Sequence, residues 1–189
     1  MIITVDDIRK YRPIAKNIDA EAVNVYIREA ERLDILPAIG AELYKEFSSL
    51  GLIRTGNGEA LTDDADREIF SGIEGEMSAD LHKFLNGGEY TNSKGELVRF
   101  EGLRTALCYF AYARFIRHHS INVTAFGVTQ KYGDLSTPID QEIIMSQSRE
   151  AKKIGEEYLR RTLLFWSDRQ NDEGVKPRPK VRRFVAIGD

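Results

Sequence analysis

The sequence predicts an all-α protein. It should be a helical bundle of about five to six helices with a small β-hairpin at about 89–100, a protruding arm at about 119–137 and an extended C-terminal tail. Three observations carry this expectation. Apolar residues recur at helical spacing through most of the chain. Residues suited to helix starts (Thr4, Asp19, Pro37, Thr62 and Pro138) stand directly ahead of those stripes. Only short stretches, punctuated by glycine, alternate as strands do.

The chain has 189 residues, 42% hydrophobic and 30% charged. That suits one globular domain with a real core and leaves little room for a second. We therefore expect a helical domain at 1–170, which includes the arm, and a separate tail at 171–189. Formal net charge is −3. Five cations against one acid after Gly174 make a local +4, which leaves −7 on residues 1–174. This is an acidic body with a basic tail.

Thr4 and Asp7 form a capping box, with Ile3 and Ile8 placed as a hydrophobic staple. Pro13 should end this first helix near Arg12. Asp19 caps a second helix, whose apolar stripe is Val23, Tyr26, Ile27, Ala30 and Leu33. Its water-facing side carries Arg28, Glu29, Glu31 and Arg32. A third helix should run from Pro37 to Gly51 with Ile39, Leu43, Tyr44 and Phe47 inward. After the loop at 54–60, Thr62 opens a fourth, with Ile69, Ile73, Met77, Leu81 and Phe84 buried. Gly72 and Gly75 each cost that helix up to about 1 kcal/mol.

Gly87-Gly88 ends it, and 89–100 reads as a hairpin turning at Asn92-Ser-Lys-Gly95. A two-stranded ribbon is marginal alone and must lean on something else. The fifth helix, Leu103 to about Arg117, is apolar nearly all round and belongs at the bundle's centre or at a subunit contact. Pro138 should open a sixth helix reaching about Asp168, about 45 Å long at 1.5 Å per residue. Its apolar positions (Ile143, Ile144, Ala151, Ile154, Tyr158, Leu159) thin out around Ser146-Gln147-Ser148, which points to solvation there. Between the last two helices lies SINVTAFGVTQKYGDLS, residues 120–136. In it Ile121, Val123 and Val128 alternate with polar or small residues, and Gly127 and Gly133 punctuate the run.

Chemistry-bearing motifs are scarce. The lone cysteine, Cys108, sits in an apolar run, so it excludes a disulfide framework and reads as a small core residue. His118 and His119 are adjacent and would point about 100° apart on a helix, so they cannot share a metal as an i, i+4 pair does. Acid pairs at Asp6-Asp7, Asp63-Asp64 and Glu156-Glu157 fit helix starts or solvated faces. No phosphate loop, dinucleotide fingerprint, nucleophile elbow or zinc-protease motif occurs. We expect no enzyme, no cofactor and no metal. No signal-peptide pattern opens the sequence and no apolar run approaches a membrane span, so we expect a protein of a reducing cytoplasm or of something assembled there.

The tail VKPRPKVRRFVAIGD is more specific. Pro177 and Pro179 favour an extended path. Lys176, Arg178, Lys180, Arg182 and Arg183 supply charge, and Phe184, Val185 and Ile187 supply apolar anchors. Three readings stand open: an unstructured tail, an arm that docks on another chain, and a contact to nucleic-acid phosphates.

Four stretches together carry a resemblance: VNVYIREAERLDILPAIGAELYKEF (23–47), FLNGGEY (84–90), FEGLRTALCYFAYARFI (100–116) and INVTAFGVTQKYGDLS (121–136). They resemble the small head–tail connector, or head-completion, proteins of tailed bacteriophages and prophages, in the versions found in phages of Bacteroides-type bacteria. The resemblance covers most of residues 1–165; the tail from Asn171 lies outside it.

The resemblance implies a virion structural protein at the head–tail junction, assembled in the host bacterial cytoplasm. It would form a homo-oligomeric ring of about twelve subunits beneath the portal protein. Such a ring extends the channel through which genomic DNA passes without sequence-specific binding, and it offers a surface to a tail-side connector or tail protein. It implies no enzymatic activity and no membrane partner. The arm would touch neighbouring subunits through Ile121, Val123, Phe126, Gly127, Val128 and Tyr132, and the tail would dock on the portal or on a neighbouring acidic body. A helical oligomeric adaptor or regulatory protein of a mobile element is the alternative. An enzyme built on carboxylates and His82 is the remaining class.

Overall fold

The computed structural model describes residues 1–49, 76–118, 121–124, 127–130 and 140–172. Within these the protein is a helical bundle with two small antiparallel ribbons. The helices are α1 (Val5–Tyr11), α2 (Ala20–Ala30), a π-helical segment (Glu31–Ile35), α3 (Leu36–Ile39), α4 (Ala41–Ser49), α5 (Glu76–Asn86), α6 (Gly102–His118) and α7 (Gln141–Asp172). One ribbon pairs β1 (Gly88–Thr91) with β2 (Leu97–Phe100), and the other pairs β3 (Ile121–Thr124) with β4 (Gly127–Gln130).

The first two helices begin as their caps dictate. The Thr4 hydroxyl accepts from the Asp7 amide at 3.4 Å, and Asp7 Oδ2 accepts from the Thr4 amide at 3.0 Å. Two of the donors left open at that helix end are thereby satisfied. At α2, Asp19 Oδ1 accepts from the Glu21 amide at 3.0 Å.

Helix α6 is the axis of the bundle. It packs against α7, α2, α5 and α1. Eleven of its residues are buried, spread around its circumference, as a central helix requires. Its longest contact is with α7, and Gly155 sets their spacing. A β-carbon there would lie 3.2 Å from the Ala106 carbonyl oxygen and 3.3 Å from the Phe110 ring. Cys108 is buried in this core, and burial pushes its thiol pKa far up, so it packs as a hydrophobe.

The structure corrects the sequence reading at several elements. The extra residue of the π segment rotates the end of the second helix. Glu31 therefore turns inward, 4% exposed, and Leu33 turns outward, 57% exposed, the reverse of the expected faces. The Glu31 carboxylate accepts from the Ile2 amide, and burial raises its pKa despite Arg28 and Arg32 nearby. The third helix is two helices, because Gly40 adopts φ 84° between α3 and α4. The long helix begins at Gln141, where Asp140 Oδ1 accepts from the Glu142 amide, and it continues to Asp172, past the expected end. Ile143 is half exposed, whereas Ser148, expected to be solvated, is buried and donates to the Ala113 carbonyl at 2.9 Å. The fourth helix is described from Glu76; its expected start at Thr62, with Ile69, Gly72, Ile73 and Gly75, lies outside the described residues, as does Pro138.

Candidate interaction surfaces

The β1–β2 ribbon is built by its turn and anchored by its aromatics. The Asn92 carbonyl accepts from the Gly95 amide at 2.9 Å, and the Asn92 amide donates to the Glu96 carbonyl at 3.0 Å. Asn92 Oδ1 accepts from the amides of Lys94 and Glu96, and Gly95 takes the φ of 79° that this turn demands. The inward face places Tyr90 and Phe100 against Phe165 of α7, with ring centroids 5.0 and 4.6 Å away. The Tyr90 hydroxyl donates to Asp168 Oδ2 at 3.2 Å. The expected dependence of the ribbon on a neighbour is met by α7. The outward face carries Glu89, Leu97 and Arg99.

At the foot of this ribbon lies an open cleft of about 570 Å³, bounded by Tyr11 of α1, Asn86, Gly87 and Gly88, the strand residues Glu89, Arg99 and Phe100, and Glu101 and Thr105. Thr105 Oγ1 lies 2.9 Å from the Glu101 carbonyl and 3.1 Å from the Tyr11 hydroxyl. Glu101 Oε1 stands 4.0 Å from Arg161 Nη1, while Glu101 Oε2 is buried without a hydrogen-bond partner among the described residues. Among the described residues its lining offers carboxylates, an arginine and two hydroxyls, from Glu89, Glu101, Arg99, Tyr11 and Thr105.

His118 stacks on Tyr26 at the end of α6, with centroids 6.2 Å apart and planes within 9°, while His82 belongs to α5 and His119 lies outside the described residues. Among the described residues no group of three His, Cys, Asp or Glu is placed to hold a metal ion, and no helix is long and apolar enough to cross a membrane.

In the arm, β3 and β4 pair with the register Ile121↔Gln130, Asn122↔Thr129, Val123↔Val128 and Thr124↔Gly127. The expected contact residues Ile121 and Val123 thus share one strand, and Gly127 and Val128 share its partner. Phe126 and Tyr132 lie outside the described residues, as does the whole tail from Lys176 to Ile187. Among the described elements the ribbon's principal contacts are within itself. It lies in the connection between α6 and α7, the two longest of the described helices.

Sequence reasoning missed two further features. Leu97 is 72% exposed on β2, and Val25, Leu33, Ile143 and Leu164 are each about half exposed. Strand alternation does mark Leu97 as outward, because Val98 and Phe100 are the residues that turn inward. Arg114 also reaches across from α6 to the π segment, donating to Asp34 Oδ2 from Nη2 at 2.8 Å and from Nε at 3.1 Å.

A family model described as a family of unknown function (DUF6712) matches residues 35–184, and the chain belongs to that family. No curated protein and no solved structure matches it. The match runs from α3 through both ribbons and α7 into the basic tail as far as residue 184. All five tail cations and Phe184 therefore lie within the region that the family model matches.

Proposed function

We propose that this member of the family of unknown function is a virion structural protein, one subunit of a head–tail connector ring. The ring docks beneath the portal, extends the DNA channel and joins the capsid to the tail. The observation that carries this reading is the arm. A two-stranded ribbon is marginal alone, and β3–β4 stands between α6 and α7, the two longest of the described helices, with its principal contacts among the described elements inside itself. Such a ribbon is suited to be completed by a partner, and in the ring that partner is a neighbouring subunit. The acidic body adds support, since a channel that passes DNA should not grip phosphates. The subunit acts by fit and assembly, without enzymatic activity.

Mass measurement of the purified protein with and without purified portal tests the reading. The expected result is a folded, monomeric or weakly associated protein alone and a stoichiometric ring on the portal. A tight dimer with a large apolar two-fold interface, indifferent to portal, would overturn the ring and favour a small oligomeric adaptor of a mobile element.

A further inference from the structure

We propose that the outer edge of β2 is a strand-addition site, and that its occupant is the segment 181–187 (VRRFVAI) of a neighbouring copy of this chain. The contact deepens the ring reading, on which it rests for the presence of neighbours, by naming the joint between subunits.

The register defines the edge. The Asn92 amide donates to the Glu96 carbonyl, and the pairs from there to the ribbon's foot are Thr91↔Leu97, Tyr90↔Val98, Glu89↔Arg99 and Gly88↔Phe100. Bonded and unbonded pairs alternate along an antiparallel ladder, so the N–H and C=O of Thr91, Glu89, Leu97 and Arg99 point away from the ribbon. On the β1 side, the Glu89 carbonyl is taken by Lys83 Nζ at 3.3 Å, and α5 packs beside the strand. On the β2 side, the outward backbone groups of Leu97 and Arg99 meet no backbone partner among the described residues. Leu97, 72% exposed, adds an apolar side chain on that edge. Natural proteins usually cover such an edge, because it is a template for another strand.

The occupant follows from chain length, charge and composition. Segment 181–187 holds Val181, Phe184, Val185 and Ile187 and no proline or glycine, so it suits a strand. Between the end of α7 at Asp172 and residue 181 lie eight residues that include Pro177 and Pro179. An extended spacer of that length spans about 25 Å at 3.1 Å per residue. The bond between Tyr90 and Asp168 sets the last turns of α7 beside the chain's own ribbon. A spacer of that length is long enough to reach an edge on the next molecule. The tail's +4 meets a body of −7, and the cleft at the foot of β2 is lined by the carboxyl-bearing Glu89 and Glu101. One donor strand and one acceptor edge per chain make a head-to-tail contact, the kind that closes rings.

Amide hydrogen exchange on the full-length protein, at rising concentration and with a synthetic peptide of residues 175–189, tests the assignment. The Leu97 and Arg99 amides should slow by about tenfold or more as either is raised, with the Tyr90 and Val98 amides unchanged. Leu97→Pro removes an outward N–H and the exposed leucine side chain but none of the ribbon's own ladder bonds, so it should keep the ribbon's own protection and lose the peptide response at the Arg99 amide. A peptide carrying Val185→Pro should fail on the unaltered protein, which tests the pairing from the other side if Leu97→Pro disturbs the ribbon. Unchanged exchange at both amides overturns the proposal, as does an undiminished response in Leu97→Pro. Protection already complete at high dilution would mean the tail covers its own ribbon, and overturns the assignment to a neighbour. Ring formation on portal without the peptide response sinks this joint alone. A peptide response without any ring on portal sinks the connector reading alone.

Discussion

The backbones of Gly87 and Gly102 touch. A β-carbon on Gly102 would fall 2.2 Å from the Gly87 amide nitrogen, and one on Gly87 would fall 2.6 Å from the Phe100 carbonyl oxygen. Both residues hold positive φ, 85° and 82°. This contact joins the end of α5 to the start of α6 and pins the foot of the β1–β2 ribbon between them. Gly102→Ala should therefore cost about 3 kcal/mol, combining the left-handed backbone with overpacking against main chain that cannot swing aside. Gly95→Ala, at φ 79° but with nothing within 4 Å, should cost about 1 kcal/mol. Urea unfolding of both variants checks this; equal losses would refute the close-approach account.

Glu31 should give stability a pH dependence. Its carboxyl pKa is raised above the ordinary value of 4.5, chiefly by burial. The folded state then holds the proton more tightly than the unfolded state, so this group's contribution falls as pH rises from 4.5 through the raised value. Glu31→Gln keeps an acceptor for the Ile2 amide and should remove that slope, with little loss at neutral pH. Glu31→Ala leaves the buried donor unmet and should cost about 1–3 kcal/mol. Denaturation of the three proteins from pH 4 to 8 reads both effects. A slope retained in Glu31→Gln assigns it to another group.

Deleting residues 122–134 should leave the melting temperature nearly unchanged and abolish ring assembly on the portal. The described core is built without the β3–β4 ribbon, and the cost of closing a connection varies slowly with its length. Calorimetry and a portal-binding assay on the same sample separate the two effects. Collapse of the melting transition would place the arm in the core.

Truncation after Gly174 should give a folded protein, since the described core lies within residues 2–165. It should no longer join an assembly on the portal. Circular dichroism and sedimentation with portal present decide the matter; normal assembly by the shortened chain would return the tail to an unstructured appendage.

Local signals made much of the fold legible. The capping box at Thr4 and Asp7, the Asn92–Gly95 turn and the all-round apolar character of α6 each depend on residues close in sequence. The misreadings arose where distant chain decides. Glu31 is drawn inward by the Ile2 amide, 29 positions away, and Ser148 by the Ala113 carbonyl, 35 positions away. Helical periodicity carries no trace of either partner. The alternation of Ile121, Val123 and Val128 did announce a strand-like arm, although not its pairing into a hairpin. The cleft at the ribbon's foot was hidden for the same reason as Glu31: α1, α5, both strands and α6 contribute to it from separate parts of the chain.

The π-helical turn at Glu31–Ile35 is also a seam in chain length. One residue removed there would turn it into ordinary α-helix while leaving the flanking faces nearly in phase, so Ile27 and Ile35 would still meet the same core. Relatives one residue shorter at this point could keep the same three-dimensional shape. A one-residue gap in an alignment here would then record drift in length rather than a difference in fold. The family match begins at residue 35, the last residue of this seam.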